Sequence, residues 1–573
     1  MGATIVIADL QTKLFGLPVA YEFPLTVSAR LFSPGAIGVL AITTALAACG
    51  GGGSAQAPPP PSVPPVFTTP TAVRVSRTTP FSDSCLPNPG GTTIYGNAEV
   101  EPQLAIDPAD PNHLLAAWQQ DRLSTGGALG LVNAVSVDGG VTWSDPRSLP
   151  FSQCALGSYA RASDPWVSVS GVVAFHVGIA FTGAILAAGA RSAVVVSRSG
   201  DGGFSWSAPV ELSNDDGSLF FNDKESVTID PTNTRYVYAV WDRLDTSNRG
   251  PTRFARSQDG GLSWEPAVTI YDPGAGAQTV GNIVVVAPNG MVYDFFTELV
   301  AVPGNPNLVT GRVAVISSGD KGLSWSAPVY VADMRSVSTQ DPSRPGVTVR
   351  GGEILGSFAA DPLRGTLYAS WQDSRFSSGA RNAIAIASSI DGGATWTEPA
   401  RVNADPTVPA FIPTLTVQDD GTIGVLYYDF RAASTSSTRP TDLWLAVSQA
   451  GGAWREARLA GNFDMLNAPN AEGLFVGDYQ GLVSAGRSII SLYSRVNNAD
   501  MANRTDIFAD RTDSSAIMSA AGTRTVQTGP KSATWTWDKA AQERVERHLA
   551  EERDQRRRQW REWLGARGDS PAE

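Results

Sequence analysis

Residues 136–143 read SVDGGVTW, and the phrase returns as SGDGGFSW at 199–206, SQDGGLSW at 257–264, SGDKGLSW at 318–325 and SIDGGATW at 389–396. The closing tryptophans, Trp143, Trp206, Trp264, Trp325 and Trp396, stand 63, 58, 61 and 71 residues apart, and a decayed copy, SQAGGAW, ends another 58 on at Trp454. A period of that length marks a stacked or radial repeat. Every interval has the same internal order. An alternating strand ends in an Asp-Pro or Asn/Asp-Gly turn. A second strand closes on an aromatic with Asp or Arg. A third, such as AVVVSRS, runs into the octet, and a fourth, such as SAPVEL, leaves it. Four short antiparallel strands per repeat predict the blade of a β-propeller.

The spacing sets the blades near 101–149, 163–213, 222–272, 280–332, 354–403 and 411–460. A last unit, GDYQGLVSAGRSIISLYSR with TDIFADRT, has three strands and no octet, and the segment TAVRVSR, from Thr71, is expected to supply its missing outer strand. The expectation is an all-β propeller over 71–515 with seven blades, or six if the final unit is an appendage. Within each octet the Gly pair supplies positive φ for a tight turn, and Ser and Asp side chains bond backbone groups inside it. The Trp that opens the next strand packs against a sheet. Asp138, Asp201, Asp259, Asp320 and Asp391 are therefore read as structural.

These octets resemble the Asp-box (BNR) repeat of the sialidase, or neuraminidase, superfamily, over most of residues 100–460. The resemblance implies a propeller whose active site lies on the face away from the octets. It also implies a glycoside hydrolase of exo-α-sialidase type that removes terminal sugars, sialic acid among them. The superfamily includes other glycosidases and non-enzymatic propellers, so the fold does not name the activity. Sialidases carry an Arg-Ile-Pro motif ahead of the first Asp box. Nothing before Ser136 matches it, and FIP at 411–413 lacks the Arg. No catalytic residue transfers by motif.

Candidates come instead from second-strand ends and from the links between blades. The ends WQQDR, WDR, WQDSR, YYDFR and YSR predict Arg122, Arg243, Arg375, Arg431 and Arg495 around one rim. Such a cluster grips a carboxylate through forked hydrogen bonds, or else each arginine staples its blade to a neighbour. Catalytic parts should be those that break the repeat. Glu298 in FFTEL and Tyr428 do so, as do the links carrying Glu99 and Glu101, Asp164, Asp223 with Lys224 and Glu225, Arg350 with Glu353, and Asp478 with Tyr479. A sialidase-like mechanism needs a Tyr nucleophile sharpened by a Glu and an acidic proton donor. Tyr428 or Tyr479, Glu298 or Glu225, and Asp164 or Asp223 fit those roles. The rival reading is a non-catalytic propeller that binds a glycan or a protein.

The 573 residues carry a net charge of −12 with only 17% charged side chains, which argues against a nucleic-acid partner. The three histidines, His113, His176 and His548, stand in unrelated settings, so neither a His-rich metal site nor a Ser-His-Asp triad is expected, and no metal or cofactor is assigned. After Arg30 the run LFSPGAIGVLAITTALAAC has the length and small-residue ending of a secretory signal. Its Leu46-Ala47-Ala48-Cys49 ending resembles the bacterial lipobox, which implies lipidation of Cys49 and makes 1–49 a leader, its first 26 or so residues unlike a signal. Residues 50–70 form a Gly/Pro-rich tether. Cys85 and Cys154 are expected to pair outside the reducing cytosol. Residues 516–573 read as a linker and a charged helix over 537–568, whose thin apolar stripe (Ala541, Val545, Leu549) suggests light docking. The overall expectation is a monomer at the bacterial cell envelope, periplasmic, surface-held or secreted, meeting the membrane through its lipid alone and a glycan or glycoconjugate as partner. Mass analysis of the exported product should give a chain that begins at a lipidated Cys49.

Overall fold

The computed structural model describes residues 72–82, 84–85, 92–184, 186–433, 440–449, 451–519 and 538–565, with side chains of the last helix described as far as Arg556. The leader, Cys49 and the tether lie outside the described residues. The chain is all-β, built from antiparallel sheets of four strands in which successive strands are neighbours. They occupy 99–148, 161–216, 220–271, 277–334, 356–401 and 410–463, each end within three residues of the segment read from the octet spacing. The first two are joined by one residue pair, Ala128 with Ala162. A further sheet is formed by Gly481–Ala485, Ser488–Val496 and Thr505–Asp513, with Val73–Arg74 as its outer strand, Val73 opposite Ala509.

The octets fold as turn chemistry requires. In all five, the Ser hydroxyl donates to the Asp at 2.7–2.8 Å. The same carboxylate accepts the backbone N–H four residues after the Ser–Asp pair's Asp at 2.8–3.0 Å. That residue's hydroxyl donates as well, at 2.5–2.6 Å. Hydroxyl and N–H donors hold Asp259 and Asp391 down to about 2. The fourth octet has Lys321 at φ 61° where its siblings have Gly, and the ammonium reaches Asp230 of the preceding sheet at 2.8 Å.

Four of the five octet Trp bind their sheet to the one before. Trp206 donates to Asn133 at 2.9 Å, and Trp264, Trp325 and Trp396 meet Phe175, Phe254 and Phe295 edge to face. The apolar core is accordingly divided into clusters between neighbouring sheets. One of them, around Trp118, Leu104, Ile490 and Leu492, packs the last sheet on the first.

The inner strands depart from regular pairing at equivalent points. Register shifts fall between Val100 and Gln103, Ser163 and Trp166, Asp223 and Ser226, Val280 and Ile283, and Phe411 and Thr414. At these bulges Glu101, Asp164, Lys224, Gly281 and Ile412 adopt positive φ, between 51° and 68°. Pro102, Pro165 and Pro413 follow three of them. A bulge is where a strand tolerates a residue with no N–H to offer the ladder. Left-handed conformation costs a non-glycine residue ~1–3 kcal/mol, so surrounding contacts must enforce it.

The C-terminal helix, Lys539–Gly565, is seated more deeply than its thin stripe suggested. Ala541, Val545 and Leu549 are buried, the last two in the core beside Val309 and Met334, and His548, Arg553 and Arg556 are buried with them. Polar groups on the body accept this second face, which hydrophobic patterning does not register.

Cys85 and Cys154 are bridged, with Cα atoms 5.0 Å apart, closing a loop of 69 residues. Loop-closure entropy alone assigns such a bridge ~4 kcal/mol. Replacing both cysteines by Ser should lower the urea midpoint correspondingly without changing the far-ultraviolet spectrum.

Candidate functional site

Three of the bulged residues carry charge, and all three meet. Lys224 points its ammonium at Asp164 (3.0 Å), Asp478 (2.8 Å) and Glu101 (3.4 Å). Because each comes from the inner strand or inner link of a different sheet, the left-handed bulge aims side chains otherwise distant in sequence at one point. Arg350 grips Asp478 through both Nε (3.2 Å) and Nη2 (2.7 Å). It stands in a small extra sheet, Thr348–Arg350 running parallel to Leu474–Phe475. Gly352 makes that approach feasible: its φ is +61°, and a Cβ there would lie 2.5 Å from the Asp478 carbonyl oxygen.

Arg122, at the end of a second strand, donates to Gln119 at 2.7 Å and lies 4.7 Å over the Phe475 ring. It forms no ion pair among the described residues, and its Nε has no partner. Gln119 in turn donates to Glu101 and, at 3.0 Å, to Ser163. The final arm comes from the helix: Arg556 donates to Asp223 (2.7 Å), Gln278 (2.9 Å) and Asp242.

Burial and charge push these carboxylates in opposite directions. Burial raises Asp223, against the pull of the Arg556 guanidinium, and the Asp164 charge adds to the rise. Burial also acts upward on Asp164 and Asp478, but Lys224 on the first and Arg350 with Lys224 on the second outweigh it and hold both below the ordinary range. Glu101, deeper still, is pushed up to about 8 by burial, against Lys224. Glu225 is raised well above its ordinary value by burial and then by Asp164, and neither of its oxygens has a partner.

Two hollows flank the cluster and share Asp164, Lys224, Gly352 and Asp478. One, of about 40 Å3, is bounded by Arg122, Asp223 and Arg350 and by Glu552, Gln555 and Arg556 of the helix. The other, of about 50 Å3, is bounded by Trp166, Glu225, Pro413 and Tyr479. The octet turns are remote from both, since strand Ala128–Ser136 pairs its Ala128 end with Arg122 and its Ser136 end with Leu114.

Of the residues singled out in the sequence, Arg122, Asp164, Asp223 and Glu225 come together here, with Glu101, Lys224, Arg350, Asp478 and Tyr479. The other four repeated arginines do not. Arg243 pairs with Asp215 at 3.1 Å, Arg375 with Asp373 at 2.8 Å, Arg431 with Asp429 (2.6 Å) and Glu456 (2.7 Å), and Arg495 covers Phe508. Glu298 is held by Arg312 at 2.6 Å and by Tyr271. Tyr428 is buried against Phe411 and donates to the Ser494 carbonyl at 2.6 Å. Tyr479 lies at the second hollow, donates to the Pro165 carbonyl at 3.1 Å, and is raised well above its ordinary value, by burial first and then by Glu101 and Asp164. Glu225 lines the same hollow, and burial raises it in the same direction. Sequence reasoning missed Gln119, Gln278, Asp242, Glu552 and Arg556; for the helical pair only the charge density of 537–568 gave a signal. Among the described residues, Glu353, His548 and Glu552 are grouped closely enough to hold a metal ion.

No protein-family profile matches the chain. No curated protein matches it either. Among solved structures it is similar to a protein of unknown function from Dyadobacter fermentans, at 14% identity over 78% of this chain and 98% of that one, TM-score 0.40. An α-L-arabinofuranosidase from Fusarium graminearum aligns at 13% over 78% and 99%, TM-score 0.42. Trypanosoma rangeli sialidase, as a covalent intermediate, aligns at 14% over 78% and 59%, TM-score 0.40. These likenesses assign no role to any residue of the site.

Removing Lys224 tests the cluster. Breaking a buried ion pair from one side costs ~3–5 kcal/mol, and Lys224→Met should lose that much. In the wild type, Asp164 and Asp478 lie below their unfolded values, so their contribution is present above the unfolded pKa and lost as pH falls. Without the ammonium, Asp478 keeps Arg350, but burial acts on Asp164 with its main opposing charge gone and raises it, so its contribution is instead lost as pH rises. The gap between variant and wild type in urea midpoint should therefore be wider at about pH 8 than at about pH 5.

Proposed function

We propose that the chain is a ring-closed propeller of seven blades that hydrolyses a terminal glycosidic bond at the hollow beside Arg122. The ring is supported by the core cluster joining the last sheet to the first and by the outer strand that Val73–Arg74 lends the last sheet. The observation that carries the activity is a pair of carboxylates facing one hollow with opposite proton affinities, Asp223 raised and Asp164 depressed. Carboxylates pushed apart in this way divide the work of acid and base.

In this reading Asp223 gives its proton to the glycosidic oxygen as the C–O bond breaks. Water adds to the anomeric carbon and passes its proton to Asp164. Arg122, the guanidinium without a carboxylate partner, binds the sugar through its own hydroxyls or carboxylate. Arg350 and Lys224 are already matched by Asp478 and Asp164, so a sugar acid such as sialic acid meets one open guanidinium here and not three.

The hollow of about 40 Å3 holds water only, because ligand sites begin at roughly 300 Å3. Substrate entry therefore requires the helix to withdraw Arg556, and the protein as described is the closed form. We further propose that it works at the bacterial envelope, tethered through lipid on Cys49, a reading supported by the apolar run before that cysteine and by the Cys85–Cys154 bridge.

The tying-up of Arg243, Arg375 and Arg431 within or between sheets favours a second reading, a non-catalytic propeller that binds glycan or protein. Turnover of aryl glycosides, sialosides and neutral sugars both included, separates the two. Asp223→Asn and Asp164→Asn should each lower kcat by ~10²–10⁴. Arg556→Ala should raise kcat/KM by freeing the mouth. The alkaline limb of the wild-type profile should lie above the ordinary aspartate range, since the rate is lost as the raised Asp223 ionises. No turnover by the wild type or by Arg556→Ala would decide for the binding module.

A further inference from the structure

We propose a divalent-cation site of transition-metal type shared between Glu353 of the propeller and His548 and Glu552 of the C-terminal helix. The inference goes beyond the hydrolase reading and stands without it. One donor atom from each residue falls within 4.8 Å of the others, although no His-based metal site was expected from three scattered histidines. His548 and Glu552 are one helical turn apart, so their side chains project from one face toward the same point. His548 is 6% exposed and its Nε2 has no hydrogen-bond partner. A buried, unpartnered imidazole nitrogen costs free energy unless something binds it.

Glu353 is prepared for the role. Its Oε1 accepts the Thr339 N–H at 3.1 Å and its Oε2 the Gly351 N–H at 3.2 Å, which fixes the carboxylate plane while leaving a lone pair on each oxygen. Backbone donors behind a ligand orient it as outer-shell partners do. Two carboxylates set side by side in a buried place repel one another, and a cation between them removes that cost. Arg350, whose charge acts on Glu552, is committed to Asp478 through two bonds.

One imidazole and two carboxylates suit zinc-like ions, with ligands ~2.0–2.2 Å from the metal, whereas calcium asks for six to eight oxygens. Donors on one ion at that distance stand no more than ~4.4 Å apart, so a slight side-chain rotation closes the set. Occupancy would cross-link the helix to the body. Arg556 lies one turn beyond Glu552 and blocks the hollow, so the ion would lock that arginine in place.

Zinc titration of the full chain, stripped with a chelator, should show one site per molecule, with calcium at equal concentration failing to compete. His548→Gln and Glu552→Gln should each weaken binding at least 100-fold, and Glu543→Gln, at a half-exposed acid paired with Lys539, should leave it unchanged. Zinc should also slow proteolytic cleavage within 538–565 in the wild type and in Glu543→Gln but not in the two ligand variants. Absence of stoichiometric zinc binding by the wild type, equal competition by calcium, or unchanged affinity in both ligand variants would overturn the site. None of these readouts depends on glycoside turnover.

Discussion

The ammonium of Lys224 is the constraint on which the centre of this protein depends. Three carboxylates from three separate parts of the chain converge on it, all buried, and a second cation, Arg350, shares one of them. Remove either sign and the remainder is a cluster of like charges in a low-dielectric interior, a state proteins avoid by several kcal/mol per ion. The left-handed backbone at Glu101, Asp164 and Lys224 is the price of that convergence. Strain is tolerated where surrounding structure over-determines it, and such places tend to be functional.

Much of the framework was legible because turn chemistry is local. An octet with two glycines, a Ser–Asp pair and a Trp specifies its own hydrogen bonds, and counting octets set the sheets to within three residues. The partner of each Trp was not legible, since packing on the preceding sheet involves residues such as Asn133 and Phe295 from another repeat.

The site divides along the same line. Residues that interrupt the repeat, among them Glu101, Asp164, Lys224, Arg350 and Asp478, are the ones brought together. Those that recur, Arg243, Arg375 and Arg431, serve the repeat itself by pairing with nearby Asp and Glu. Arg122 is the exception, drawn inward because Gln119 and Phe475 receive it where its siblings meet carboxylates. An acidic residue before Pro inside an alternating strand, as in Glu101-Pro102 and Asp164-Pro165, was the readable mark of a bulge. The helix hid its role, because Arg556 and Glu552 dock through charge and leave no apolar period to detect.

The pairing of Val73–Arg74 with Thr505–Asp513 also governs how the molecule is made. The edge strand is synthesised well before its partner, 439 positions separating Arg74 from Asp513. At synthesis rates of about 5–20 residues per second that delay is roughly 20–90 s. Over that interval Val73–Arg74 has no partner strand, and the last sheet forms only once Gly481–Asp513 has been synthesised.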